Sequence, residues 1–233
     1  MSSPVRPSAL PGARLLAFDT ATSSAVVALA GADGQLLDER RWAAGHRHGE
    51  ELLRRIDELL VDHGLAVAGL GAIVVGTGPG AFTGLRVGLA TAKGLAHGLG
   101  RPLVGVPTSR ALLAAAAEAG ARLPLALLLP AGPSDRVLVG EGVPLLLAGG
   151  AEPDLPAGTT LVAVDLDGRA PAVACSLGRE ALAGLAGALA RLGAARLAAG
   201  ELDDLAGLVP EYVTLPRGVR AVGGEVAWSR DHR

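Results

Sequence analysis

The sequence predicts an α/β fold of two halves, each a β-meander followed by helix and strand, packed as a pair with mixed sheets. Three observations carry this reading. Short apolar strands alternate with helical segments from residue 14 to residue 118. The same order returns about 110 residues further along. The chain has 233 residues, 50% of them hydrophobic, enough to bury the core that such a pair needs.

The elements follow in order. "RLLAFD" (14–19) is an apolar strand ending in a carboxylate, "TATSS" a polar turn and "AVVALA" (25–30) a second strand. After the turn "GADG", "QLLDERRW" (35–42) completes a three-stranded meander. "HGEELLRRIDELLVDHG" (48–64) places Leu52, Leu53, Ile56, Leu59 and Leu60 on one helical face, with Gly64 where a C′ residue belongs. Glu50–Arg54 and Glu51–Arg55 are i,i+4 pairs on its wet side. "GAIVVG" (71–76) is a buried strand, "AFTGLRVGLATAKGLAHGLG" (81–100) a helix and "RPLVGV" (101–106) a short strand. "PTSRALLAAAAEAG" (107–120) is a helix with Pro107 near its start. In the second half "LPLALLLP", "DRVLVGEG" and "VPLLLAG" echo the meander, "TTLVAVD" echoes "GAIVVG", and "GREALAGLAGALARLG" (178–193) supplies a helix. The expected division is 1–107, 108–216 and a loose polar tail over 217–233.

Composition narrows the function classes. A formal net charge of −2 provides no general attraction for nucleic acid, so RNA contact would need a partner. Cys175 is the single cysteine, which excludes an internal disulfide and a thiolate metal cage and fits a reducing cytoplasm. The uncharged run from Gly64 to Leu85 is long enough to span a membrane, but its glycines and Pro79 read better as turn, buried strand and turn. "MSSPVRPSALPGAR" has no apolar h-region and reads as a loose leader rather than a signal peptide.

The stretch "VVGTGPGAFTGLRVGLATAKGLAHGLG" (74–100) carries the chemistry question. No window supplies the Gly-Lys-Ser/Thr of a phosphate-wrapping Walker loop. A dinucleotide fingerprint fits as Gly76-x-Gly78-x-x-Ala81, yet no acid stands about 20 residues on, the next being Glu118. A third reading follows the glycines into the helix, where Gly84, Gly88, Ala92 and Ala96 recur at i,i+4 and Gly94 and Gly98 form a shorter row. Each helix-interior Gly costs about 0.5–1 kcal/mol against Ala, so a run of them points to close approach by another helix, either "EELLRRIDELL" (50–60) of the same chain or a helix of a second chain. The competing reading is ordinary core packing in a chain whose Ala, Gly and Arg content reflects a G+C-biased genome.

On "LLAFDTATSSAVVAL" (15–29), "GTGPGAFTGLRVGLATAKGLA" (76–96), "GVPTSRALLA" (105–114) and "PEYV" (210–213), the chain resembles the TsaB (YeaZ) family. This is the accessory subunit of the bacterial machinery that makes threonylcarbamoyladenosine in tRNA. The resemblance implies two ribonuclease-H-like halves of the actin-like ATPase superfamily with mixed β-sheets, and a cytoplasmic protein with no membrane contact. It implies a non-catalytic scaffold that pairs with a TsaD-like catalytic subunit through its first two helices, with a TsaE-like ATPase and tRNA joining the complex and a homodimer forming when the chain is alone. The residues expected at that interface are Leu52 and Ile56 of the first helix and Gly78, Pro79 and Gly80 of the turn. Phe82, Thr83, Gly84, Leu85, Arg86, Gly88 and Ala92 of the second helix join them.

The fold also implies that Asp19, with Thr20 and Thr22, faces the phosphate and metal of a nucleotide; the residue type equally allows Asp19 to be only a strand-end turn former. No cofactor is expected to bind tightly; ATP or ADP with Mg would sit at the partner interface. Catalytic relatives grip a metal with two histidines, where this chain has Thr108 and Leu112, and Pro130 stands opposite Asp19 in the second half. His46 and His48 read as surface residues rather than ligands. The alternative is an autonomous actin-fold enzyme, a small-molecule kinase or a metallopeptidase-like protein.

Overall fold

The structure, a computed structural model, describes residues 14–43, 48–140 and 143–212. Strands β1 (Arg14–Asp19), β2 (Ser24–Ala30) and β3 (Leu36–Ala43) form the expected meander, followed by α1 (His48–Asp62), β4 (Leu70–Gly76), α2 (Phe82–Leu99), β5 (Leu103–Val106) and α3 (Thr108–Glu118). The second half contains β6 (Leu125–Pro130), β7 (Arg136–Val139), β8 (Leu145–Leu147), β9 (Thr160–Ala163) and α4 (Ala172–Ala198).

The first sheet has the order β3-β2-β1-β4-β5 and the second β8-β7-β6-β9. In each, the meander pairs antiparallel and its first strand pairs parallel with a later one: β1 with β4, and β6 with β9. Both sheets are therefore mixed, and the chain has the actin-like, ribonuclease-H-like fold expected of it.

Period-two alternation along the strands builds the layers. Leu15 and Ala17 of β1, Val26 and Ala28 of β2 and Val74 of β4 face α3 and α4, which on their other side meet Leu127 and Leu129 of β6 and Val162 of β9. Leu16 and Phe18, Val27 and Leu29, and Ile73 and Val75 point the other way and are covered by α1 and α2. The result is four layers: α1 and α2, the first sheet, α3 and α4, the second sheet. Burial on both faces explains why β1, β2 and β4 are apolar runs rather than alternating ones.

Helix α4 is long and apolar enough to cross a membrane by length and composition, but Ala181, Leu185, Ala188 and Leu189 are buried between the two sheets. It starts at Ala172, six residues before the segment the sequence suggested, and Gly178 lies on the second sheet where an added Cβ would stand 1.8 Å from the Ala163 carbonyl oxygen. Cys175 is buried, its thiol 3.5 Å from the Leu166 carbonyl. It packs as a small core residue.

Helix α1 ends as its sequence asks. Gly64 is left-handed at φ 59°, with Gly64 N donating to Val61 O (3.0 Å) and Leu65 N to Leu60 O (2.9 Å), the Schellman pair. Two details differ from expectation. Leu53 is 54% exposed, because it turns with Val61 (67%) toward the outside while Leu52, Ile56, Leu59 and Leu60 take the core. Arg54 pairs with Glu51 and Glu58, both at 2.6 Å, rather than with Glu50, while Arg55 reaches Glu51 at 3.5 Å as the spacing suggested.

Candidate functional site

The end of β1 is closed by its own chain. Asp19 is fully buried; its carboxylate accepts from Ala21 N (2.7 Å) and from Thr108 Oγ1 (2.6 Å), and Thr108 Oγ1 in turn accepts from Gly78 N (2.9 Å). One carboxyl thus links the β1–β2 turn, the Gly-Pro-Gly turn and the start of α3. Burial pushes the Asp19 pKa up, and the bonds from Thr108 and Ala21 pull against that rise without cancelling it.

The glycines permit this closure. A Cβ on Gly76 would stand 1.7 Å from Asp19 Oδ2, and one on Gly80 would stand 2.2 Å from the Ala21 carbonyl oxygen. A Cβ on Gly88 already has room for little, at 2.5 Å from Thr20 Oγ1, and that hydroxyl donates to Gly84 O (2.7 Å). Across the halves, Asp165, itself left-handed at φ 58°, accepts from Ser23 N (2.7 Å) and from the Ser23 hydroxyl.

These contacts correct the expected direction of the small-residue row. Gly84, Gly88, Ala92 and Ala96 are buried against β1, β4 and the β1–β2 turn, together with Leu85. Leu52 and Ile56 of α1 are core residues too, and Gly78 and Pro79 are buried, with Gly80 only partly covered. Of the residues expected to meet a partner, Thr83 and Arg86 are exposed and Phe82 is partly so. The cause is visible in the sequence after the fact: Leu85 and Leu89 lie on the same side as Gly84 and Gly88, so that side must face the core.

The outer side of α2 carries Ala90, Gly94, His97 and Gly98, all exposed. A Cβ added at Gly94 or Gly98 meets no atom of the described residues within 4 Å. The exposed Leu53 and Val61 lie on the neighbouring α1.

Asp19, Thr20 and Thr22, expected beside a nucleotide, are 0%, 2% and 3% exposed and bonded within the chain, Thr22 Oγ1 to Ser24 O (2.9 Å). Thr108 and Leu112 are both fully buried. His46 lies outside the described residues, as does the side chain of His48. Among the described residues no three His, Cys, Asp or Glu side chains converge as a metal site would require.

Three residues that the sequence reading did not assign to the site, Asp203, Glu211 and Tyr212, complete it. Beyond α4 the chain runs back along edge strand β5: Asp203 N donates to Leu103 O (3.0 Å) and Asp203 Oδ2 accepts from Gly105 N (2.7 Å), which covers an edge that would otherwise template strand pairing. Glu211 then bonds Thr77 twice, through its backbone N to Thr77 O and its carboxylate to Thr77 Oγ1, each 2.8 Å. Burial raises the Glu211 pKa. Tyr212 Oη accepts from Arg86 Nε (2.9 Å), its ring lies 5.2 Å from that of Phe82, and the Arg86 guanidinium sits 3.7 Å over the Phe82 ring. The chain has only two Phe, two Trp and one Tyr, and the fold brings two of those five into this one surface cluster.

Comparison with known proteins agrees with this geometry. The family model described as "TsaD: tRNA N6-adenosine threonylcarbamoyltransferase" matches residues 42–161, half of the chain. The structure superposes on YeaZ from Pseudomonas aeruginosa with a TM-score of 0.65 and 26% identity, over 86% of this chain and all of that one. The chain belongs to the TsaD family. Proteins named tRNA threonylcarbamoyladenosine biosynthesis protein TsaB match it at 37% identity in Escherichia coli, over 41% of this chain and 40% of theirs, and at 38% in Haemophilus influenzae, over 45% and 43%. A Mycobacterium leprae protein is 46% identical over 95 residues, 40% of this chain and 26% of its own length. The chain spans less than half the length of the curated TsaB relatives it matches.

Proposed function

We propose that the chain is the non-catalytic accessory subunit for threonylcarbamoyl transfer to the anticodon-adjacent adenosine of tRNA, acting by dimerising with a TsaD-like catalytic chain. The docking surface is the outer face of α1 and α2. What supports it most is the row Gly94 and Gly98: a Cβ at either would meet no described atom within 4 Å, and the helix-interior Gly94 costs about 0.5–1 kcal/mol that no contact among the described residues recovers. A helix laid against that face would recover it by close packing, with Leu53 and Val61 adding apolar contact. The cluster of Phe82, Arg86 and Tyr212 at the N-terminal end of α2 has the aromatic and arginine composition of an interface hot spot.

In this reading a TsaE-like ATPase and tRNA join the complex through the catalytic partner, ATP or ADP with Mg belongs to the partner junction, and the chain alone forms a homodimer through the same face. The buried state of Asp19, Thr20 and Thr22 favours this over an autonomous kinase, which needs an accessible phosphate clamp. The experiment is to mix the purified chain with its cognate TsaD-like subunit and follow mass by light scattering and transferase activity on tRNA. A heterodimer with raised activity is expected. No complex and unchanged activity, or ATP or peptide turnover by the lone chain, contradicts the reading.

A further inference from the structure

At the carboxyl ends of β6 and β9, a second site is built from residues that the reading above does not use. The turn between β6 and β7 and the loops after β8 and β9 surround a cavity of about 510 Å³ whose lining includes Ser134, Arg136, Gly149, Glu152 and Arg169. Carboxyl ends of parallel strands are the usual place for ligands in α/β sheets.

The charges in this cavity do not balance. Arg136 is 5% exposed and is the only arginine buried among the described residues. Its Nη1 donates to Arg169 O (3.0 Å) and its Nη2 to Ala151 O, both carbonyl oxygens. Arg169 in turn donates to Asp135 O (2.9 Å) and, at the limit of 3.5 Å, to Gly132 O. Neither guanidinium lies within 4.0 Å of a carboxylate among the described residues, whereas Arg40, Arg41, Arg54 and Arg196 each have one. The nearest carboxylate in sequence, Asp135, is turned to Gly149 N (3.2 Å) and Ser134 Oγ (3.3 Å). Taking a cation out of water costs several kcal/mol unless an anion compensates it. The most buried cation among the described residues is thus one without a described anion within 4.0 Å, and a second guanidinium lines the same cavity.

We propose that this cavity binds the phosphate group of a small phosphorylated metabolite, with Arg136 and Arg169 as its cationic partners. A planar guanidinium matches a phosphate in both charge and geometry, and the unused N–H groups of the two arginines supply donors. Glu152, exposed at the cavity, accepts from hydroxyl groups of such a ligand and disfavours a bare polyanion. A concave site in a chain of net charge −2 suits a small ligand better than an RNA backbone, which calls for an extended basic surface.

The test is calorimetric titration of the full chain with inorganic phosphate, glycerol 3-phosphate and a short RNA, at matched ionic strength. Saturable binding of glycerol 3-phosphate in the millimolar range or tighter is expected. Arg169→Ala keeps the main-chain carbonyl that Arg136 uses, so it should fold and weaken that binding by about tenfold or more, the loss expected for a charge-assisted hydrogen bond. Glu152→Gln should tighten inorganic phosphate, and it remains informative if the arginine variant melts early. Absence of saturable phosphate binding, unchanged affinity in folded Arg169→Ala, or binding of RNA alone overturns the proposal.

Discussion

Helix α2 has two rows of small residues, and they do opposite things. The inner row, Gly84, Gly88, Ala92 and Ala96, is filled by its own chain: Thr20 occupies the space where a Gly88 side chain would stand. The outer row, Ala90, Gly94 and Gly98, faces solvent, with open space beside both glycines. Residue type alone does not distinguish a groove that lets the chain close on itself from one that awaits a neighbour. The side shared with Leu85 and Leu89 makes the first row internal; the side shared with Arg86 and His97 makes the second external.

Substitutions should separate the rows, beginning with the most damaging. Gly76→Ala, beside the inner row, forces a methyl group into the buried Asp19 carboxylate and should destabilise the chain by about 3 kcal/mol, the upper range of overpacking costs; urea denaturation reads it directly. Asp19→Ala strips the Ala21 amide and the Thr108 hydroxyl of their acceptor and should cost about 2 kcal/mol. Gly88→Ala breaks the Thr20–Gly84 bond and should cost about 1–2 kcal/mol by the same measurement. On the outer row the sign reverses: Gly94→Ala, at an open helix-interior position, should stabilise by about 0.5–1 kcal/mol. A destabilised Gly94→Ala, at a protein concentration that keeps the chain monomeric, would mean that the outer face is packed after all.

The pH dependence adds a finer test of the inner side. Burial holds the Asp19 pKa above its ordinary 3.8, so the folded chain binds that proton more tightly than the unfolded one. Its contribution to stability is fully present below 3.8 and is lost as the pH rises through the folded value. Glu211, raised by burial in the same way, adds to this trend from a half-exposed position. Asp19→Asn should therefore show a flatter fall of stability from acidic toward neutral pH than the parent chain in denaturant titrations. An equal slope would mean that the Asp19 carboxyl is not held above its ordinary range.

Much of the fold was legible. Apolar runs ending in Asp19 and Gly76, the C′ glycine of α1 and the repeat of the meander about 110 residues on were enough to locate the described strands along the chain, though not their order across the sheets. The facing of α2 was harder, because Gly and Ala contribute almost no polarity contrast and the period of 3.6 then says little about direction. Leu53 was placed inside because a leucine next to Leu52 fits a broad apolar stripe, yet the core accepts only the narrower one. Glu211 and Tyr212 act through contacts 134 and 126 residues away in sequence, with Thr77 and Arg86, beyond the reach of any local pattern. Four apolar layers account for the buried Thr108 and Leu112, but the link from Asp19 to Thr108 to Gly78 needed coordinates.

The outward row is tested most directly by the double variant Gly94→Leu, Gly98→Leu, mixed with the cognate TsaD-like subunit and followed by light scattering beside a thermal melt. Loss of the heterodimer in a double variant that still unfolds cooperatively is the predicted result, since within one protomer a Cβ at either position meets no described atom within 4 Å. A heterodimer that forms with parental affinity in the folded double variant would contradict the assignment of this face.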